Sequence, residues 1–74
     1  MMGDVRDVDI AGDGIRLGQL LKLADVVEVG ADVKELLAEG RVQVNGEVET
    51  RRGRQLFVGD IVDVGGTALR VTQD

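Results

Sequence analysis

The sequence predicts a small α+β domain in which two N-terminal helices precede and pack on an antiparallel sheet of about four to five strands. The first observation behind this fold class is a change of period. Apolar residues recur with a helical period before residue 40 and alternate with polar residues after it. The second is size: 74 residues without cysteine imply one economical aliphatic core that folds without disulfides.

The first predicted helix begins near Leu17 and has one apolar face. Its apolar residues fall at positions i, i+3, i+4 and i+7, namely Leu17, Leu20, Leu21 and Ala24. Lys22 lies on the opposite side, because successive residues are rotated by roughly 100° around a helix. The segment from Val26 to Gly30 is predicted to separate this helix from the next.

The second predicted helix repeats the same apolar spacing, with Val33, Leu36, Leu37 and Gly40. Asp32 lies in its first turn, where a negative charge complements the helix N-terminus. Gly40 is expected to end the helix in the left-handed conformation. Lys34 lies on the flank, accessible to solvent. We therefore expect two short helices with matched apolar faces that pack on each other and on the sheet.

A hairpin begins directly after the second helix. Val42 and Val44 alternate with polar neighbours, and Asn45-Gly46 predicts a two-residue turn with positive φ. Residues 50–54 are expected to form a loop that bends at Gly53. Later apolar runs predict further strands, so the sheet follows both helices in the chain.

The N-terminal residues 1–14 are rich in aspartate and glycine. We interpret them as an acidic tail or a weak edge strand, and residues 15–74 as the domain itself. The segment lacks the cationic end and apolar stretch of a signal peptide. No apolar run approaches the ~20 residues that cross a membrane. A cytoplasmic protein without membrane contact is expected.

Composition argues against catalysis. The chain contains no histidine and no cysteine, which removes the usual general base near neutral pH and the usual nucleophile pairs. The carboxylates are scattered, and Asp60 and Asp63 are too isolated to form a metal site. We therefore expect a monomer that is not an enzyme, with no catalytic residues, metal, cofactor or small-molecule substrate.

The basic residues are concentrated against the overall charge. Residues 41–54 contain four arginines and two glutamates, in a chain whose net charge is −5. Arg51, Arg52 and Arg54 lie within four residues, and guanidinium groups bind phosphate oxygens in bidentate geometry. The cluster predicts an anion-binding loop. The alternative is a solvated loop in which Arg51 pairs with Glu49 or Glu47.

Taken together, these features resemble the S4 RNA-binding domain, and in particular a small single-domain group of bacterial S4 proteins. The resemblance covers residues 15–64. It is carried by the two leucine-rich helices, the glycine that ends the second, the Val-Asn-Gly turn, the Arg-rich loop and the later Gly59-Asp60 turn. It implies a helix pair on a short, bent sheet (the alpha-L motif) that grips structured RNA, often ribosomal or transfer RNA.

The resemblance assigns RNA contacts to residues of both helices, the first strand, its turn and the Arg-rich loop: Lys22, Lys34, Arg41, Asn45, Arg51, Arg52 and Arg54. The lysines and arginines would contact phosphates. For Asn45 the backbone geometry of the turn comes first and RNA contact second. Phe57, the one aromatic residue, is expected in the core, so the mode of binding implied is recognition of RNA shape and phosphates without base stacking.

A rival interpretation follows from the acidic composition. A chain with a pI near 4.5 could be a protein-interaction module that docks a basic partner, such as a ribosomal protein, through its acidic faces. The clustered arginines favour RNA, while the net charge favours this rival.

Overall fold

The computed structural model describes residues 5–26 and 33–73. Over these residues the chain forms two helices and seven strands, in the order β1 (Val5–Ile10), β2 (Gly14–Arg16), α1 (Leu17–Leu23), α2 (Val33–Ala38), β3 (Val42–Val44), β4 (Glu47–Val48), β5 (Gln55–Phe57), β6 (Ile61–Val64) and β7 (Thr67–Gln73). The α+β class is confirmed. The expected Asp32 interaction at the start of α2 and the break near Gly30 lie outside the described residues.

The expectation that both helices precede the sheet is wrong, because β1 and β2 come before α1. The main sheet is also mixed instead of antiparallel. Its strand order is β1-β7-β6-β3-β4, and β1 runs parallel to β7 while the other pairs are antiparallel. Strands β2 and β5 form a separate antiparallel ribbon.

Of the two interpretations of the N-terminal segment, residues 5–10 form the edge strand and not a tail. Its acidic residues do not prevent this. In the structure they occupy one side of an alternating strand whose other side, with Val8 and Ile10, is buried. The Asp7 carboxylate pairs with Arg70 on β7 at 2.7 Å, and the Asp9 carboxylate accepts a hydrogen bond from the Thr72 hydroxyl. The aspartates therefore connect the edge strand to its neighbour.

One aliphatic core joins the helices to both sheets. The predicted apolar face of α1 is confirmed, since Leu17, Leu20 and Leu21 are completely buried. They share one cluster with buried residues from the end of α1, from α2 and from five strands: Val8, Ile10, Ala24, Val33, Leu37, Val42, Val44, Leu56, Val62, Leu69 and Val71. Ile15 of β2 is partly buried and packs against this cluster. Leu36, expected on the apolar face of α2, is partly buried. Neither helix is long enough to span a membrane, within the part of the chain that the structure describes.

The predicted hairpin turn is confirmed. Asn45 and Gly46 both have positive φ, 51° and 87°, as a two-residue turn between twisted strands requires. The Asn45 side chain also fixes the start of β6: its Oδ1 accepts from the Ile61 N–H at 3.0 Å, and its Nδ2 donates to Asp60 Oδ1 at 3.2 Å. Gly40 has φ 75°, which confirms the left-handed end of α2.

We predict that Asn45→Ala lowers the free energy of unfolding by about 1–3 kcal/mol, because alanine loses both side-chain hydrogen bonds and tolerates the left-handed conformation poorly. Asn45→Gly, which relieves the backbone but also loses the bonds, should cost less. Urea denaturation of the three proteins measures the difference. An Asn45→Ala protein as stable as wild type would contradict this account of the turn.

Candidate nucleic-acid interface

The Arg-rich loop, residues 49–54, docks against the first turn of α1. The Leu17 N–H donates to the Arg54 carbonyl at 2.9 Å, and the Gly18 N–H donates to the Arg52 carbonyl at 2.8 Å. The first N–H groups of any helix lack partners within the helix, so the loop satisfies two of them. A Cβ at Gly18 would lie 3.4 Å from both the Cβ and the carbonyl oxygen of Arg52, so the loop lies in van der Waals contact with the start of the helix.

Arg16 holds the loop from the other side. Its Nη1 donates to the Gly53 carbonyl at 2.9 Å, while its backbone N–H donates to Gln19 Oε1 at 3.3 Å. Arg16 ends strand β2 and immediately precedes α1. Its position where ribbon, helix and loop meet brings a cation of the N-terminal region next to the Arg-rich loop.

These contacts form an open cleft of about 250 Å³ between α1, the start of α2 and the loop. It is lined by Arg16, Gly18, Gln19, Lys22, Val33, Arg52 and Gly53. Among the residues that the structure describes, three of the lining residues carry a positive charge and none carries a negative one. We call this surface the cationic cleft. Such a concentration of one sign of charge in a concave surface attracts an anionic ligand.

The cleft includes two of the residues that the resemblance singled out, Lys22 and Arg52. Among the described residues, neither makes a hydrogen bond or ion pair through its side chain. Arg16 completes the group and was not predicted. The sequence signal for it is weak: a single arginine before the first leucine of a helix, in an acidic segment.

A buried carboxylate organises the remaining arginines. Glu49 is only 6% exposed, and its Oε1 accepts from Arg54 Nη1 at 2.9 Å and from Arg51 Nη2 at 3.3 Å. Its Oε2 accepts from Arg51 Nε at 3.2 Å and from the backbone N–H groups of Thr50 and Arg51 at 3.0 and 3.2 Å. Every one of these bonds stabilises the charged carboxylate.

The pKa of Glu49 falls accordingly from its ordinary 4.5 to about 2, because of the hydrogen bonds from Arg51 first and Arg54 second. The same interaction raises the pKa of Arg51 above its ordinary value. The arginine triad is therefore not one clamp. Arg51 and Arg54 hold the loop in shape around Glu49, which was the alternative for Arg51, and Arg52 lines the cleft.

Pairing with Glu49 does not remove Arg51 from the surface. Its side chain is 75% exposed, against 34% for Arg54. A guanidinium group has five N–H donors, and Arg51 uses two of them on Glu49. The remaining donors of Arg51 can bind a phosphate beside the cleft, whereas Arg54 is mainly structural.

The other predicted residues lie outside the cleft lining. Lys34 is exposed in the first turn of α2, next to Val33, which does line the cleft. Arg41 pairs with Glu39 at 2.9 Å, with both side chains largely exposed. The Asn45 amide is used at the hairpin turn. The structure thus brings Lys22 and Arg52 together with Lys34 nearby, and leaves Arg41 and Asn45 outside this lining.

The expectation that Phe57 belongs to the core is wrong, since it is 57% exposed. Strand β5 alternates, and its one buried residue is Leu56, which pairs with Ile15 of β2. Filling the core with Leu56 forces both neighbours, Gln55 and Phe57, onto the outer face of the ribbon. Because residues 56–58 are all apolar, the sequence does not show which of them faces the core.

The helix pair, the hairpin and the docked Arg-rich loop define a small domain of the S4 class. The chain belongs to the S4 domain family, whose model matches residues 8–72. Among individual proteins, it is 49% identical over 59 residues to the probable ribosome maturation protein RlbA of Bacillus subtilis, covering 80% of this chain and 83% of that protein. It is 40% identical over 57 residues to the putative RNA-binding protein YbcJ of Escherichia coli, covering 77% and 81%.

The depressed pKa of Glu49 predicts how stability depends on pH. A carboxyl group with a lower pKa in the folded state stabilises the fold fully above its unfolded pKa, and this contribution disappears as the pH falls from about 4.5 to about 2. Glu49→Gln should remove that part of the pH dependence. It should also lower the free energy of unfolding at pH 7 by about 1–3 kcal/mol, because charge-assisted hydrogen bonds are lost.

Denaturation of both proteins across this pH range provides the measurement. Glu39→Gln is the matched control, since it removes a carboxylate from the exposed pair with Arg41, and exposed pairs contribute only about 0–1 kcal/mol. Equal effects of the two substitutions would show that Glu49 does not organise the loop.

Proposed function

We propose that this protein binds structured RNA, without catalysis, by holding its phosphates in the cationic cleft. The observation that carries the proposal is the cleft itself. Of the described residues that line this concave surface, three carry a positive charge and none a negative one, in a chain whose net charge is −5. The surrounding acidic body repels a polyanion, so RNA would approach productively through this surface and in few orientations.

Family and relatives support the same class of ligand. The chain is an S4 domain over most of its length, and similar proteins are named for ribosome maturation and RNA binding. Ribosomal RNA is therefore the target class that we favour, with transfer RNA as the second, and the cytoplasm is the expected location.

The residues contribute in different ways. Arg52 and Arg16 present planar guanidinium groups suited to bidentate phosphate contact, whereas Lys22 supplies a compact charge from α1. Lys34 and Arg51 would extend the site along its rim. Arg41, Arg54 and Asn45, outside the cleft lining, would contribute less than the resemblance implies.

The number of contacts limits the affinity. Neutralising about three to five phosphates gives a slope of roughly −2 to −4 for log K against log salt concentration, at 0.7 to 0.9 per phosphate. Such a small footprint predicts binding that is strong at low salt and weak at physiological salt. A structured RNA that matches the contour of the cleft would bind with higher affinity than an unstructured one.

The test is RNA binding across a salt series with a charge-matched control. Lys22→Gln/Arg52→Gln removes two cleft cations, and we expect roughly a tenfold or larger loss of affinity and a slope reduced by about 1.5 to 2. Arg6→Gln/Arg70→Gln removes the same charge from the β1–β7 edge of the sheet, where Arg70 pairs with Asp7. The control should change affinity far less.

Three outcomes would count against the proposal. They are no binding of structured RNA by wild type even at about 50 mM salt, equal behaviour of the two double variants, and wild-type affinity of the cleft variant. If wild type instead bound a basic ribosomal protein with no affinity for RNA, the rival protein-interaction function would replace this one. Arg51 and Arg54 are left intact in this design, because their loss would strand the buried Glu49 carboxylate.

A further inference from the structure

Strand β5 of the ribbon ends in exposed apolar residues. Phe57 and Val58 are 57% and 47% exposed, although they follow the completely buried Leu56. Phe57 is the one aromatic residue in the chain. Because more than half of Phe57 is exposed to water, its aromatic ring is accessible to a ligand.

The ribbon places this ring on the same face as a cleft residue. Paired residues of antiparallel strands share a face, and the pairs here are Arg16 with Gln55 and Gly14 with Phe57. Arg16 and Phe57 are therefore diagonal neighbours, with an expected separation of about 7–8 Å. Phe57 is therefore expected to lie next to Arg16, which lines the cationic cleft.

The partner opposite Phe57 is glycine, so no side chain covers the ring from the neighbouring strand. A Cβ at Gly14 would meet the Leu56 carbonyl oxygen at 2.7 Å and Gln55 Nε2 at 2.5 Å. The close approach of the two strands thus requires glycine here. On the outer face, the amide of Gln55 occupies the position that a Gly14 side chain would take.

The backbone that presents the ring is held firmly. The Phe57 N–H donates to Asp60 Oδ2 at 2.8 Å, and the Asp60 N–H donates to the Phe57 carbonyl at 3.0 Å. The other oxygen of Asp60 accepts from Asn45. The ring therefore projects from a fixed turn, which reduces the entropy that a ligand must overcome to order it.

We propose that Phe57 is a stacking platform for one unpaired nucleobase of the RNA whose phosphates occupy the cationic cleft. The inference rests on the proposed function and adds a ligand class to it: RNA with an unpaired nucleotide next to a helical segment. Stacking on an aromatic face suits any base, so the contact adds affinity for a single-stranded junction without reading its sequence.

The first experiment compares an RNA stem-loop with and without a short single-stranded extension of adenines. Wild type should prefer the extended RNA. Phe57→Ala should lose affinity roughly five- to a hundredfold for the extended RNA and little for the blunt one, whereas Phe57→Tyr should retain the preference. Urea denaturation of the variants shows that they remain folded, as the exposure of the ring leads us to expect.

The second experiment reads stacking directly. The chain has no tryptophan, so Phe57→Trp introduces a single indole whose fluorescence a stacked base should quench. Val48→Trp is the matched control, because Val48 is exposed to the same degree, 56%, on strand β4. Quenching by the extended RNA at position 57 and not at position 48 is the expected result.

The failures of the two proposals are distinguishable. If wild type binds both RNAs equally and Phe57→Ala changes neither affinity, the stacking platform is wrong while phosphate binding stands. If wild type binds neither RNA at low salt, the proposed function and the platform both fail. If Phe57→Ala leaves RNA binding intact but abolishes self-association in sedimentation, the ring is a protein contact and the inference is overturned.

Discussion

The ion pairs of the buried Glu49 carboxylate with Arg51 and Arg54 determine the shape of the candidate site. They fold the Arg-rich loop back on itself, and the carbonyl groups of that loop then accept the first N–H groups of α1. Because charge-assisted bonds to a buried carboxylate are costly to break, the loop is fixed before any ligand arrives. Two of the three clustered arginines, Arg51 and Arg54, thus stabilise the loop through Glu49. The third, Arg52, lines the cleft.

The sequence was sufficient to predict whatever depends on local periodicity. The apolar face of α1, the Asn45-Gly46 turn and the left-handed Gly40 all follow from spacing or from φ preference, and the structure confirms them. The membership of Lys22 and Arg52 in one cleft depends on long-range packing. The resemblance to the S4 family anticipated a shared surface, but only the docking of the loop on Gly18 shows which cations meet.

The errors have a common physical cause, which is that side-chain burial depends on the strand partner. For β1, the sequence left a tail and an edge strand as alternatives, because the partners of its aspartates on β7 are more than sixty residues away in the chain. Phe57 was expected inside because it lies in an apolar run, yet the pairing with β2 selects Leu56 for the core. Arg16 gained its role only through the Gly53 carbonyl. None of these partners can be identified from a local window of sequence.

The parallel pairing of β1 with β7 has a consequence for how the domain is made. Val5 aligns with Ala68 and Ile10 with Gln73, so β1 cannot pair in the sheet until β7 has been synthesised. Contacts of such high sequence separation form late and slow the folding of a small domain. Until β7 is available, the apolar side of β1 is exposed to solvent, and its aspartates help to keep the unpaired strand soluble. The aspartates of β1 would thus keep this strand from aggregating while it is still unpaired.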